Sequence, residues 1–217
     1  MCGVFAYIGP DAPDPELLVQ AAEGAARRGP HAHGWAGHGV AAHRALGCLD
    51  PASARGLTAS RLVGHARLAT SGRPGDIAAI QPIEANGHLI VHNGTVPDLA
   101  ALSALDAITG GVSDTVSGSV SDTVALAACY ARLRARGRTP QQALDDTLQA
   151  AAQTAWAVVV LDASGDLVHH RHRLPLFELV TPEGGVYLSS GRLPAATATP
   201  PGQSNTATAR QAGTAPA

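Results

Sequence analysis

The second residue of the chain is a cysteine, in Met1-Cys2-Gly3-Val4. If the initiator methionine is removed, one carbon carries both a nucleophilic sulfur and a free α-amine. That amine is a base with a pKa of about 7.7–8.0, near working pH. One residue then holds a nucleophile and the group that activates it. Cysteine is small enough for routine methionine removal, so an active form beginning at Cys2 is expected. Taken alone, the stretch reads more simply as a small apolar residue at a strand edge. Three further stretches stand out with it: Arg28-Gly29-Pro30 running to Gly34; Gly64-His65-Ala66-Arg67-Leu68-Ala69-Thr70-Ser71-Gly72; and His92-Asn93-Gly94.

These groups are far apart in sequence, so strands and helices must bring them together. Val4–Ile8 is apolar at every position and reads as a strand buried on both faces. Asp14-Pro15-Glu16 supplies an N-cap and a proline at the first helical position. The helix is expected to run through Leu17, Leu18 and Ala22 and to end at Arg27-Arg28-Gly29-Pro30. Trp35–His43 reads as one strand with glycine interruptions, Arg61–Arg67 as another, and Ser71–Gln81 as a loop. His88–His92 is a short strand, which Asn93-Gly94 should stop as a turn pair. Ser121-Asp122 opens a helix over Val124–Arg134, and Thr139-Pro140 opens a second. Strands follow at Ala155–Leu161, Leu167–Arg171 and Gly185–Ser190. The repeat Ser113-Asp114-Thr115-Val116 and Ser121-Asp122-Thr123-Val124 has its first copy in a loop. From Leu193 onward large apolar residues are almost absent, so 193–217 is expected to be a disordered tail after a folded domain at 1–192.

Composition narrows the classes of function. The 217 residues are 45% hydrophobic but only 3% aromatic, so the core must rest on Ala, Val, Leu and Ile. A net charge of -2 gives no electrostatic case for nucleic acid or an anionic membrane surface. No apolar run approaches the ~18–20 residues of a membrane helix, and the N-terminus lacks a secretory pattern. A cytoplasmic location is therefore expected. Cys2, Cys48 and Cys129 are scattered without metal-ligand spacing, so no disulfide framework, metal or cofactor is expected.

The four stretches in this order resemble the glutaminase domain of class II glutamine amidotransferases, which are N-terminal nucleophile hydrolases. Gln81-Pro82, Ser121-Asp122-Thr123, Arg173-Leu174-Pro175-Leu176 and Tyr187-Leu188-Ser189-Ser190 add to the resemblance, which extends from Cys2 to about Ser190. It implies an α+β fold, a four-layer α/β/β/α sandwich. It also implies hydrolysis of glutamine to glutamate and ammonia through a thioester on Cys2. The side-chain amide of Asn93 and the backbone N–H of Gly94 would stabilise the oxyanion. Arg67 would hold the substrate α-carboxylate and Asp122 its α-ammonium; Asp122 is preferred to Asp114 because a long apolar helix follows it. Thr70 and Ser71 would make loop contacts to the ligand.

The chain also departs from the pattern. His31 and Val124 stand where many members carry acidic residues, and no synthase domain follows. The expectation is a glutaminase subunit whose ammonia goes to a separate synthase. Two alternatives stay open: an amide hydrolase of the same fold acting on another γ-glutamyl metabolite, and a catalytically idle binding or regulatory paralogue.

Overall fold

The structure, a computed structural model, describes residues 1–69, 75–95, 122–149, 155–194, 196–199, 201–202 and 204–207. In chain order the elements are β1 (Gly3–Ile8), α1 (Pro15–Ala26), β2 (Ala32–Gly37), β3 (Val40–Leu46), β4 (Arg61–Arg67), β5 (Ile83–Ala85) and β6 (His88–Gly94). Then come α2 (Asp122–Ala135), α3 (Pro140–Gln149), β7 (Trp156–Leu161), β8 (Leu167–His172), β9 (Phe177–Val180), β10 (Val186–Ser189), β11 (Thr197–Ala198) and β12 (Ser204–Ala207). One sheet has the order β11-β9-β10-β1-β4-β2-β3 and the other β12-β8-β7-β6-β5. The paired strands within both sheets are antiparallel.

Side-chain alternation explains the layering, because successive residues of a strand face opposite sides. On β1, Val4, Ala6 and Ile8 point inward and meet Leu89, Val91, Ala157 and Val159 of the facing sheet. Phe5 and Tyr7 point outward onto Leu18, Ala21, Ala22 and Ala25 of α1. On the second sheet, Ile90, Val158 and Val160 point outward onto Leu126, Tyr130 and Leu133 of α2 and Leu144 and Leu148 of α3. Each large aliphatic side chain buried this way contributes about 1.5–3 kcal/mol. The alanine face of α1 lets it lie close to β1. A Cβ on Gly3 would come within 2.2 Å of the Ala25 carbonyl oxygen, so only glycine fits there. Asp14 caps α1 by accepting from Glu16 N and Leu17 N, and Pro15 occupies the first turn. The result is the four-layer α/β/β/α sandwich expected from the resemblance.

Four expectations change. The single strand over Trp35–His43 is a hairpin, β2 and β3, turning at Gly39 with φ of +76°. Asn93-Gly94 is not a turn: both residues continue β6, opposite Ala157 and Trp156 of β7. The short strands β5 and β9 are present although their sequences carry little alternation. The stretch after 192 is not wholly a tail. β11 pairs with β9, β12 pairs with β8, and Leu193, Ala196, Thr199 and Ala207 are buried. Backbone hydrogen bonding to sheet edges, which composition does not register, holds these residues. The first copy of the Ser-Asp-Thr-Val repeat lies outside the described residues.

Candidate active site

The two sheets open at one end of the sandwich, and alternation decides which side chains meet there. Cys2 lies just before β1, two residues from the inward-facing Val4. His65 and Arg67 continue the inward row of Val63 on β4, and Asn93 continues the row of Leu89 and Val91 on β6. Met1, Cys2, Asn93, Gly94, Thr95, Ala155 and Leu174 line one cavity of about 220 Å³ there.

The backbone around Cys2 is fixed from several sides. Arg28 Nε donates to the Cys2 carbonyl oxygen at 2.9 Å. Val4 N donates to Ser190 Oγ at 3.0 Å, and Ser190 N donates to the Val4 carbonyl at 2.9 Å. Leu68 N–H donates to Cys2 Sγ at 3.3 Å, and the thiol lies 3.5 Å from the Leu68 carbonyl oxygen. Burial raises the thiol pKa above its ordinary value. The Leu68 hydrogen bond, the N-terminal ammonium and Arg67 pull it back, while Asp122 adds to the rise. The resting sulfur is therefore a protonated thiol that needs a base. Met1 is largely exposed at 59%, and while it is attached the Cys2 nitrogen is a peptide nitrogen.

Opposite the thiol, Asn93 is 1% exposed, yet neither its amide oxygen nor its amide nitrogen has a hydrogen-bond partner. An unpaired buried amide costs about 1–3 kcal/mol, so its retention requires a use outside the folded chain's own bonding. Gly94 follows with φ of +146°. A Cβ there would lie 2.6 Å from the Ala155 carbonyl oxygen and 2.9 Å from His92 Nε2, so the position requires glycine.

The charged residues converge on the same end. Arg67 is 7% exposed at the end of β4, and its carbonyl accepts from His31 N at 3.0 Å. Asp122 opens α2, and its carboxylate accepts from Thr123 N at 2.8 Å, as a helix-start acid does. Leu68, next to Arg67, bonds the Cys2 thiol, and Gln81 bridges Thr123, next to Asp122, to His92, next to Asn93, so Cys2, Arg67, Asn93, Gly94 and Asp122 lie at one end of the sandwich. Thr70 and Ser71 lie outside the described residues.

Two positions gain roles that the sequence did not assign. His31 Nδ1 accepts from Ala69 N at 2.9 Å, anchoring the segment after Arg67. An acceptor is what a carboxylate at that position would also supply. Arg28 was visible in a motif, but its bond to the Cys2 carbonyl depends on α1 lying across β1. His65 and His92 are both buried, and burial pushes His65 down to about 3 and lowers His92 as well. Both rings are therefore neutral at working pH. Among the described residues no group of three or more His, Cys, Asp or Glu could hold a metal ion, and none of Cys2, Cys48 and Cys129 is in a disulfide.

Comparison with solved structures finds the same architecture in three proteins. The glutamine phosphoribosylpyrophosphate amidotransferase of B. subtilis, complexed with ADP and GMP, superposes with a TM-score of 0.66 at 18% identity. The match covers 99% of this chain and 50% of that one. An allosteric regulatory enzyme of purine biosynthesis gives a TM-score of 0.67 at 18% identity, over 94% of this chain and 46% of its own. A glutamine aminotransferase class-II domain protein from Silicibacter pomeroyi gives 0.61 at 15% identity, covering 94% of both chains. The chain thus spans about half the length of the first two of these proteins. No protein-family model matches it, and no curated protein sequence does. At these identities the shared property is the fold.

Proposed function

We propose that the chain is a glutaminase of the class II amidotransferase type. The observation that carries this is the shared cavity of the Cys2 thiol, the unpartnered Asn93 amide and the glycine-only Gly94. With Met1 removed, the Cys2 α-amine takes the thiol proton as sulfur attacks the side-chain amide carbon of glutamine. A C–S bond forms and the carbonyl oxygen becomes an oxyanion, toward which Asn93 Nδ2–H and Gly94 N–H donate. The amine returns the proton to the leaving nitrogen, the C–N bond breaks, and ammonia departs. Water then cleaves the thioester to glutamate, with the same amine as base.

Arg67 supports recognition of the α-carboxylate, since a guanidinium can hold it through two parallel bonds. Asp122 supports recognition of the α-ammonium. Thr70 and Ser71 keep the ligand contacts that the resemblance implies. The ammonia is passed to a synthase, expected as a separate subunit, and three cysteines outside any disulfide fit a cytoplasmic setting.

Glutamate release from glutamine, paired with intact mass measurement of the N-terminus, tests the reading. A chain beginning at Cys2 turns over, Cys2→Ala binds glutamine without turnover, and a chain retaining Met1 is inactive. Full activity from protein shown to keep Met1 refutes the mechanism. Turnover of another γ-glutamyl amide with none of glutamine shifts the substrate, and no turnover of either makes the chain a binding paralogue.

A further inference from the structure

We propose that Gln81 is a positioning residue that holds the oxyanion strand and the amine-binding helix in one geometry; this rests on the glutaminase reading. The last ladder pair between β5 and β6 is Ile83 with Ile90. Continued two residues further, the ladder would set Gln81 opposite His92, but Pro82 intervenes and β5 has ended. The Gln81 side-chain amide takes the place of the missing strand. Its Oε1 accepts from His92 N at 2.5 Å, and its Nε2 donates to the His92 carbonyl oxygen at 3.2 Å. That carbonyl belongs to the peptide unit joined to Asn93, so Gln81 sets the plane from which the Asn93 amide projects.

The second Nε2 proton goes to Thr123 Oγ1 at 2.9 Å. Thr123 is the second residue of α2, and its N–H is the donor to the Asp122 carboxylate. One amide, 6% exposed, therefore ties the residue before Asn93 to the residue after Asp122. Every one of these bonds uses a different capacity of a primary amide: one acceptor and two donors. No other side chain of similar size supplies all three. Glutamate keeps the acceptor but loses both donors, and methionine loses all of them.

The test is kinetic, with rates taken per titrated active-site thiol so that loss of folded protein does not count. Gln81→Met is expected to lower kcat about 100-fold, the usual scale for a displaced catalytic group, and to raise the KM for glutamine. Thr123→Val, which spares the Gln81 bonds to His92 but removes a hydroxyl that also lies 3.4 Å from Asp122 Oδ1 and 3.5 Å from His92 Nδ1, is expected to raise KM with a smaller loss of kcat. In the double variant the KM effects fail to add, because both changes remove the same link. Unchanged kcat and KM per thiol in Gln81→Met overturn the proposal. If that variant does not fold, Gln81→Glu decides on the same criteria; if neither folds, an unchanged KM in Thr123→Val overturns it. A wild-type chain starting at Cys2 that releases no glutamate sinks the glutaminase reading instead. The position of the Asn93 amide in a crystal structure of Gln81→Met then decides whether Gln81 positions it, and an unmoved amide overturns the proposal.

Discussion

Strand β6 runs between two buried polar clusters that are built on opposite plans. At its start, beside His88, the fully buried Asp162 carboxylate has its bonding capacity filled. It accepts from Tyr130 O–H at 2.7 Å, from Arg134 Nε and Nη2 at 2.7 and 3.0 Å, and from Ser164 N and Oγ at 2.9 and 2.7 Å. His88 Nδ1 lies 3.0 Å from both this carboxylate and the Ala163 N–H. One nitrogen cannot serve both at once: it accepts from Ala163 when bare and donates to the carboxylate when it carries a proton. At the other end of β6, Asn93 is equally buried and pairs with nothing. A satisfied network makes structure, whereas an unsatisfied donor held rigidly in a cavity is prepared for a ligand. On the proposed reading the same strand carries a stability end at His88 and a chemical end at Asn93, five residues apart.

Breaking each end should break a different property. The largest effect on stability is expected from Asp162→Ala. It leaves the Arg134 guanidinium, the Tyr130 hydroxyl and Ser164 without their shared acceptor, a loss of about 3–5 kcal/mol. Chemical denaturation measures it, and a loss under 1 kcal/mol would mean the cluster is not what anchors α2 to the second sheet. Glutamine turnover per folded molecule should remain near wild type.

Asn93→Ala is the mirror experiment. Removing one oxyanion donor is expected to lower kcat by about 10²–10³. Because the amide makes no bond in the folded chain, the denaturation midpoint should hold or rise slightly. A variant that loses stability and keeps its rate would reverse the assignment of the two ends.

The chemical end was the more legible in sequence, and for a physical reason. Cys2, Arg67, Asn93 and Asp122 are residue types with few uses, set in short motifs whose order survives any change of core. The layers also followed from local patterns: Val4–Ile8 and Arg61–Arg67 show strand character, and Asp14-Pro15 marks a helix start. What escaped was set by long-range bonding. Asn93-Gly94 has turn chemistry, but the ladder to Ala157 and Trp156 keeps it extended. Thr197–Ala198 and Ser204–Ala207 have loop composition, yet they complete the edges of two sheets. The Asp162 cluster was invisible because Tyr130 and Arg134 join the local Ser164 bonds only once α2 packs on the sheet. Gln81 was noticed as a motif, but its function depends on where β5 stops.

The smallest predicted effect separates the two ends by pH. His65 is fully buried beside the site, next to His92. Burial, His92 and Arg67 together push it from its ordinary 6.5 to about 3. Its folded pKa lies below its unfolded value, so below about pH 6.5 the unfolded chain takes up a proton that the folded chain refuses. Stability therefore falls as pH drops from about 6.5 toward 3, by up to about 1.4 kcal/mol per pH unit for this one ring. His92, also lowered by burial, adds in the same direction below about pH 6.5. Asp162 acts elsewhere. Its carboxyl is held far below the usual carboxylate range, so its contribution is complete above about pH 4 and declines only below that. Between pH 6.5 and 4.5 the slope should come from buried imidazoles and not from the carboxylate cluster. His65→Leu should flatten the dependence of unfolding free energy on pH in that interval by up to one proton's worth. Asp162→Ala should lower the whole curve and leave its slope there unchanged. Urea titrations at closely spaced pH values read both, and a His65→Leu curve parallel to wild type would show that the ring is protonated in the folded chain.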